Sequence, residues 1–190
     1  VIMSYSIKPQ EHELRAAREA VEKTLESCKY VLEKHEELEI SLGHTEPDSV
    51  GEFGVSGAAV SPGKVELFFN TETEGWERNL EDLTADVYGQ AWFYEHCEVT
   101  FVWQQVLASI TGLMVIEKVS EERDVETAEL QEDWAEKKTG ISEELYKKPE
   151  NLSWQLKTAL GHMLLENYDL EDLPNLNRTD VLEAGDSLFT

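Results

Sequence analysis

The chain of 190 residues has no run of about 18 apolar residues, so no membrane-spanning helix is expected. Its longest apolar-rich stretch, Val99–Val119, is broken by Gln104, Gln105, Ser109, Thr111 and Glu117, and reads as a buried helix. The opening VIMSYS has neither a basic n-region nor an apolar h-region; no secretory signal is expected, and a cytoplasmic location follows. Met3 reads as the natural start, with Val1 and Ile2 as extra residues. Cysteine is scarce as well: Cys28 and Cys97 form no C-x-x-C pair and no ligand cluster. Cys28 falls on the apolar stripe of a helix and reads as a small buried hydrophobe. Basic residues number only 16, without a patch, which argues against binding DNA or RNA, since phosphate neutralisation needs clustered cations.

What is abundant is acid. Forty Asp and Glu give a net charge of −24, and they are spread evenly, 21 in residues 1–100 and 19 in residues 101–190. With 41% hydrophobic residues the chain is too apolar for a disordered polyanion and can bury one good core. An even acidic shell is what a protein of a high-salt cytoplasm carries, because at molar salt a Debye length of about 3 Å screens the self-repulsion. The rival reading, a mimic of nucleic acid that sequesters a basic partner, calls for a patterned acidic face rather than a uniform one.

Periodicity orders the elements. Leu14, Ala17, Val21, Leu25, Cys28, Leu32 and His35 recur at three- and four-residue spacing, which predicts a helix over Pro9–His35 with Pro9 in its first turn. Leu38, Ile40 and Leu42 alternate with polar residues and predict a strand within Glu36–His44, followed by a loop over Thr45–Gly54. Val55–Val60 and Val65–Asn70 flank the turn Ser61–Lys64 and read as a hairpin. Leu80, Leu83, Val87, Ala91 and Tyr94 share a face of a helix from Trp76 to His96, and a very apolar helix covers Val99–Lys118. Ser120–Glu136 reads as a charged helix, Thr139–Asn151 as a loop, Leu152–Tyr168 as a helix, and a closing helix follows Thr179 as its N-cap. The expected fold is a single α+β domain over 1–190: an N-terminal helix at about 9–35, a small sheet of three strands at about 37–70, a helix at 76–96, and helices over 99–190.

Three blocks resemble an uncharacterised family of predicted zinc-dependent proteases of the zincin group: GVSGAAVSPGKVELFFNTE, LEDLTADVYGQAWFYE, and SWQLKTALGHMLLENYDLEDL followed by VLEAGDSLF. In a zincin, H-E-x-x-H sets two histidines one helical turn apart on a single zinc ion, and the intervening Glu is the general base. The resemblance implies a zincin-like fold in which Leu83–Tyr94 is the former active-site helix. At the five motif positions this chain has Asp86-Val87-Tyr88-Gly89-Gln90. Asp86 and Gln90 stand for the histidines, Val87 for the base, and Thr111 for a third acidic ligand. Val87 cannot accept a proton, so neither catalytic residue nor cofactor is expected. Asp86 and Gln90 remain weak metal candidates, being two oxygen ligands where Ca²⁺ or Mg²⁺ wants about six. The old cleft is expected to retain Asp86, Gln90, Thr111, Val65 and Phe69, with Val65–Asn70 as an exposed edge strand beside it.

Other chemistry-bearing residues have plainer readings. His96 precedes Cys97, but helical neighbours point about 100° apart, which makes no thiolate–imidazole dyad. His162 and Glu166, at i and i+4, read as an ordinary side-chain pair, as do Glu95 and His96, while His12, His35 and His44 share no ligand spacing. Trp92, Phe93, Tyr94, Phe101 and Trp103 read as core. The sequons at Asn151 and Asn177 are not expected to be used without export. The functional expectation is a catalytically inactive, salt-adapted zincin-like protein that binds a peptide or protein partner. The alternatives are an enzyme with another kind of site, drawing on Asp86, His96, Cys97 or His162, and an acidic partner-sequestering protein.

Overall fold

A computed structural model describes residues 1–34, 37–142 and 152–190. The order is β1 (Ile2–Tyr5), α1 (Glu11–Val31), β2 (Glu39–His44), α2 (Pro47–Val50), β3 (Val55–Ser61), β4 (Lys64–Phe69), α3 (Trp76–His96), α4 (Val102–Val119), α5 (Gln131–Ser142), α6 (Trp154–Leu165) and α7 (Arg178–Leu188), with 3-10 turns at Ala128–Leu130 and Leu170–Asn175. The class is α+β. The sheet runs β1-β2-β4-β3, parallel throughout except for β3, which returns antiparallel to β4.

Two expectations about the sheet are corrected here. It has four strands rather than three, because Ile2–Tyr5, read from sequence as extra residues and a start, pairs in parallel with Ser41–His44. And β4 is not an edge. It lies between β2 and β3, so the edge on that side is β3.

One face of the sheet is covered. Along β4, Val65, Leu67 and Phe69 are buried while Lys64, Glu66 and Phe68 face outward, the period-2 signature of a half-buried strand. Ile40 and Leu42 pair with Val65 and Leu67 in register, and together they meet Ala17, Ala20 and Val21 of α1 and Leu80, Val87 and Ala91 of α3. The opposite face of α3, with Ala85, Tyr88, Trp92 and Phe93, joins a second core among α4, α6 and α7. Each buried side chain of Leu or Phe size contributes about 1.5–3 kcal/mol of transfer free energy, so α3, buried on both sides, is the pillar of the molecule.

Local chemistry sets the helix ends. Glu13 Oε1 accepts the Gln10 N–H at 3.1 Å and starts α1 after Pro9, not on it. The helix stops at Val31, earlier than the predicted His35, which lies outside the described residues. Gln104 Oε1 accepts the N–H groups of Thr100 and Phe101 at 2.7 and 2.9 Å and delays the start of α4 to Val102. Asn177, not Thr179, caps α7, its Oδ1 accepting the Asp180 N–H at 3.0 Å. Residues 121–127, expected as helix, are irregular, whereas α5 continues to Ser142 through part of the expected loop. The rest of that loop, with the Asn151 sequon, lies outside the described residues.

Where α3 crosses α4 there is no room for side chains. A Cβ on Gly89 would stand 2.8 Å from Gly112 Cα and 3.0 Å from Thr111 O. The reciprocal Cβ on Gly112 would stand 1.9 Å from Asp86 Oδ1. The two glycines let the helices touch backbone to backbone, and the hollow at Gly112 holds the Asp86 carboxylate.

Candidate functional site

Two separate hollows, together termed the groove, lie beside β3, one towards each end. At one end a cleft of about 320 Å³ is lined by Phe53, Val55, Leu83, Asp86, Leu113 and Trp154, with Asp82 and Arg123 at its side. At the other end a hollow of about 550 Å³ is lined by Ala59, Val60, Ser61, Tyr94, Cys97 and Gln105. In both, β3 gives one wall, α3 the floor and α4 the far wall. The strand Val55–Ser61 at about 3.3 Å per residue and the helix from Leu83 to Cys97 at about 1.5 Å per residue each span about 20 Å. The groove therefore matches the length of about six residues of extended chain.

Its acidic end is built on α3. Asp86 keeps a little surface at the bottom of the cleft but is enclosed by protein on nearly every side, and this burial raises its carboxyl above the usual range. The Gln90 amide donates to Asp86 Oδ1 at 2.8 Å and, with the positive charges of Lys157 and Arg123, partly opposes that rise. Lys157, donating to Ser109 Oγ at 2.8 Å, is itself buried enough for its ammonium to titrate below the ordinary value, a shift the charge of Asp86 opposes. Arg123 bonds Asp82 at 2.8 Å and lies 5.7 Å from the centre of the Trp154 ring, a cation–π distance. Trp154 and Phe53 are 45% and 60% exposed at the rim, the largest apolar surfaces near the groove.

The residues singled out from sequence fall in different places. Asp86 lines the cleft and Gln90 bonds to it. Val65 and Phe69 are buried under the sheet against α1 and α3, on the far side of β4 from solvent. Thr111 is fully buried and donates to Leu107 O at 2.7 Å; the α4 residues that reach the cleft are Leu113 and Ile116. Val87 is 2% exposed and packs toward the sheet, away from the groove.

The structure parts His96 from Cys97. The imidazole Nδ1 lies 2.9 Å from Trp92 O and the ring stacks on Trp92 at 4.3 Å, while the Cys97 thiol is pushed up by burial and by Glu98. Burial alone holds the Cys28 thiol up at about 12. Trp92 and Phe93 are core, whereas Phe101, 38% exposed, stacks on Trp103 at the surface. His162 pairs not with Glu166 but with Glu117 on α4, its Nε2 2.8 and 2.6 Å from the two carboxylate oxygens. His12 is exposed, and His44 is buried with Nδ1 2.7 Å from Ile7 O.

Sequence reasoning missed Phe53, Arg123 and Trp154 as a set, because they come from three distant segments that only the tertiary fold brings together. The one available signal was an aromatic in an acidic loop, GEFG, with no hydrophobic period to absorb it. Among the described residues no helix is long and apolar enough to cross a membrane. Comparison with protein-family models, with curated proteins and with solved structures gives no match.

Proposed function

We propose that the protein is a non-catalytic binding protein that takes an extended, positively charged segment of a partner chain into the groove beside β3. The observation that carries this reading is the edge of β3, which pairs with no further strand among the described residues. Exposed edge strands are ordinarily protected by charge, proline or a covering element. Yet VSGAAVS has no charged residue in a chain that is 29% charged, and a hollow with α3 residues in its lining lies at each of its ends. Backbone pairing to such an edge supplies affinity, and flanking pockets read alternate side chains.

Chemistry selects the occupant. Asp82 and Asp86 stand at one end of the groove and Glu98 at the other, and the cleft's cation, Arg123, is engaged by Asp82. A Lys or Arg on the incoming segment answers those carboxylates, and an apolar side chain fits between Phe53 and Trp154. Exposed Trp and Arg in a desolvated pocket are the residue types that dominate binding energy.

Loss of a zincin-like site fits the same picture. Val87 presents nothing to the groove, and Asp86 with Gln90 forms a closed hydrogen-bonded pair on the floor. In this reading the substrate channel of a peptidase persists as a binding channel, and the even acidity of the surface is an adaptation to salt.

The test is selection of six- to eight-residue peptides from a displayed random library on the full chain at molar salt, followed by fluorescence anisotropy. Enriched peptides carry Lys or Arg next to an apolar residue, remain uncleaved with zinc added, and bind at least tenfold more weakly to Trp154→Ala and to Ala58→Lys. Both positions are exposed, so the fold survives the changes. Enrichment of acidic or sequence-neutral peptides, or affinity unchanged in both variants, sinks the reading.

A further inference from the structure

A second constellation lies outside the groove. The last turn of α4 carries Glu117, the segment after it Glu122, and the last turn of α6 His162, and one ligand atom from each lies within 4.8 Å of the others. We infer that these three side chains form a binding site for a single divalent transition-metal ion, with Zn²⁺ the best match.

The donor set argues first. Two carboxylates and an imidazole suit borderline metals, whereas Ca²⁺ and Mg²⁺ favour oxygen alone. Tetrahedral zinc with bonds of about 2.0–2.1 Å holds its ligand atoms about 3.3 Å apart. His162 Nε2 is already 2.6 Å from Glu117 Oε2, so an ion between them needs a separation of under about 1 Å, and the exposed Glu122 is free to swing in.

Preorganisation argues second. The Glu117 side chain is 9% exposed, and its Oε1 accepts the Arg123 backbone N–H at 3.1 Å, which fixes the carboxylate before any ion arrives. Such outer bonds orient metal ligands in established sites. The field argues third. Glu117 and His162 both sit where a helix dipole ends negative, and α4 and α6 bring those ends together beside Glu122 and Glu166. A cation is the natural complement of that convergence. A hollow of about 420 Å³, bounded also by Met114, Lys118 and Leu165, leaves the fourth coordination position open.

The site does not depend on the groove, and the experiment separates them. The metal-stripped chain of 190 residues is titrated with Zn²⁺ by calorimetry at molar salt, and Co²⁺ is followed by its visible absorption. One equivalent binds; His162→Ala and Glu122→Gln each weaken binding at least tenfold, while Ala58→Lys and Trp154→Ala, remote from the hollow, leave it unchanged. Because Glu122 is exposed, Glu122→Gln tests the site without risk to the fold. Several weak equivalents bound equally by wild type and His162→Ala would show diffuse binding to surface carboxylates and overturn the assignment. So would the absence of saturable binding.

Discussion

Replacing Gly89 by alanine pits two opposed effects against each other, and the geometry decides the winner. In a helix interior alanine is favoured over glycine by about 1 kcal/mol. At Gly89, however, the new methyl would meet Gly112 Cα at 2.8 Å, Val115 Cγ2 at 2.9 Å and Thr111 O at 3.0 Å, against ordinary contact at 3.4 Å or more. Two of these three atoms are backbone, so no rotamer change relieves them. The α3 and α4 axes must part by about 0.6 Å at a crossing where helix backbones touch, and overpacking of this kind costs about 1–3 kcal/mol. The net expectation is a loss of up to about 2 kcal/mol. Gly140→Ala provides the control, since it lies in α5 with nothing within 4 Å of the added carbon; there propensity acts alone and stability rises by about 0.5–1 kcal/mol. For a chain of this length the two variants should melt up to about 10 °C apart, with Gly89→Ala the less stable. Thermal and urea unfolding followed by far-UV circular dichroism measures this. A Gly89→Ala protein as stable as Gly140→Ala would refute the close crossing, and with it the placement of Asp86.

Two further outcomes follow from the titrating groups. Asp86 has its carboxyl raised in the fold, so the native state binds the proton more tightly than the unfolded chain does, and stability falls as pH rises from the ordinary Asp value of about 3.9. Asp86→Asn, which keeps a partner for Gln90, should therefore match wild type at pH 4 and equal or exceed it at pH 7; a variant clearly less stable at pH 7 contradicts the burial argument. The thiols differ in access: Ellman's reagent should modify Cys97 in the native protein while Cys28, held up at about 12 and fully buried, reacts only on unfolding. Two equivalents of rapid native labelling would contradict the position of Cys28 on the buried face of α1.

The contrast between what was and was not legible in the sequence is one of range. The helix Trp76–His96 is read from sequence to its last residue, since a 3.6-residue period over 21 positions, an apolar stripe and a preceding glycine all agree. The strand Ile2–Tyr5 offers no such signal: its residues are exposed or half-exposed, and its partner, Ser41–His44, is supplied by the fold. The turn at Ser61–Lys64 correctly marks Val55–Val60 and Val65–Asn70 as a hairpin yet says nothing of its further neighbours, which is why an edge was expected where the sheet has its interior. The site follows the same rule. Asp86 and Gln90 are one helical turn apart and their hydrogen bond is local, whereas Glu117 and His162 are 45 positions apart and spacing paired His162 with Glu166 instead. The seat of Asp86 beneath Gly112 depends on which helix crosses α3, and that is a property of topology.

The bare edge of β3 ties solubility to ionic strength in both directions. A net charge of −24 keeps copies of the chain apart in dilute buffer, while the same repulsion strains each molecule from within. Salt relaxes both at once: as the Debye length shrinks to a few ångströms, the fold tightens, and the uncharged edge of β3 on one molecule is free to meet that of the next. Thermal stability should climb steadily with salt, while light scattering stays flat and then rises at the concentration where two edges first pair. In the binding reading proposed above, an occupant of the groove would cover β3 and move that rise in scattering to higher salt.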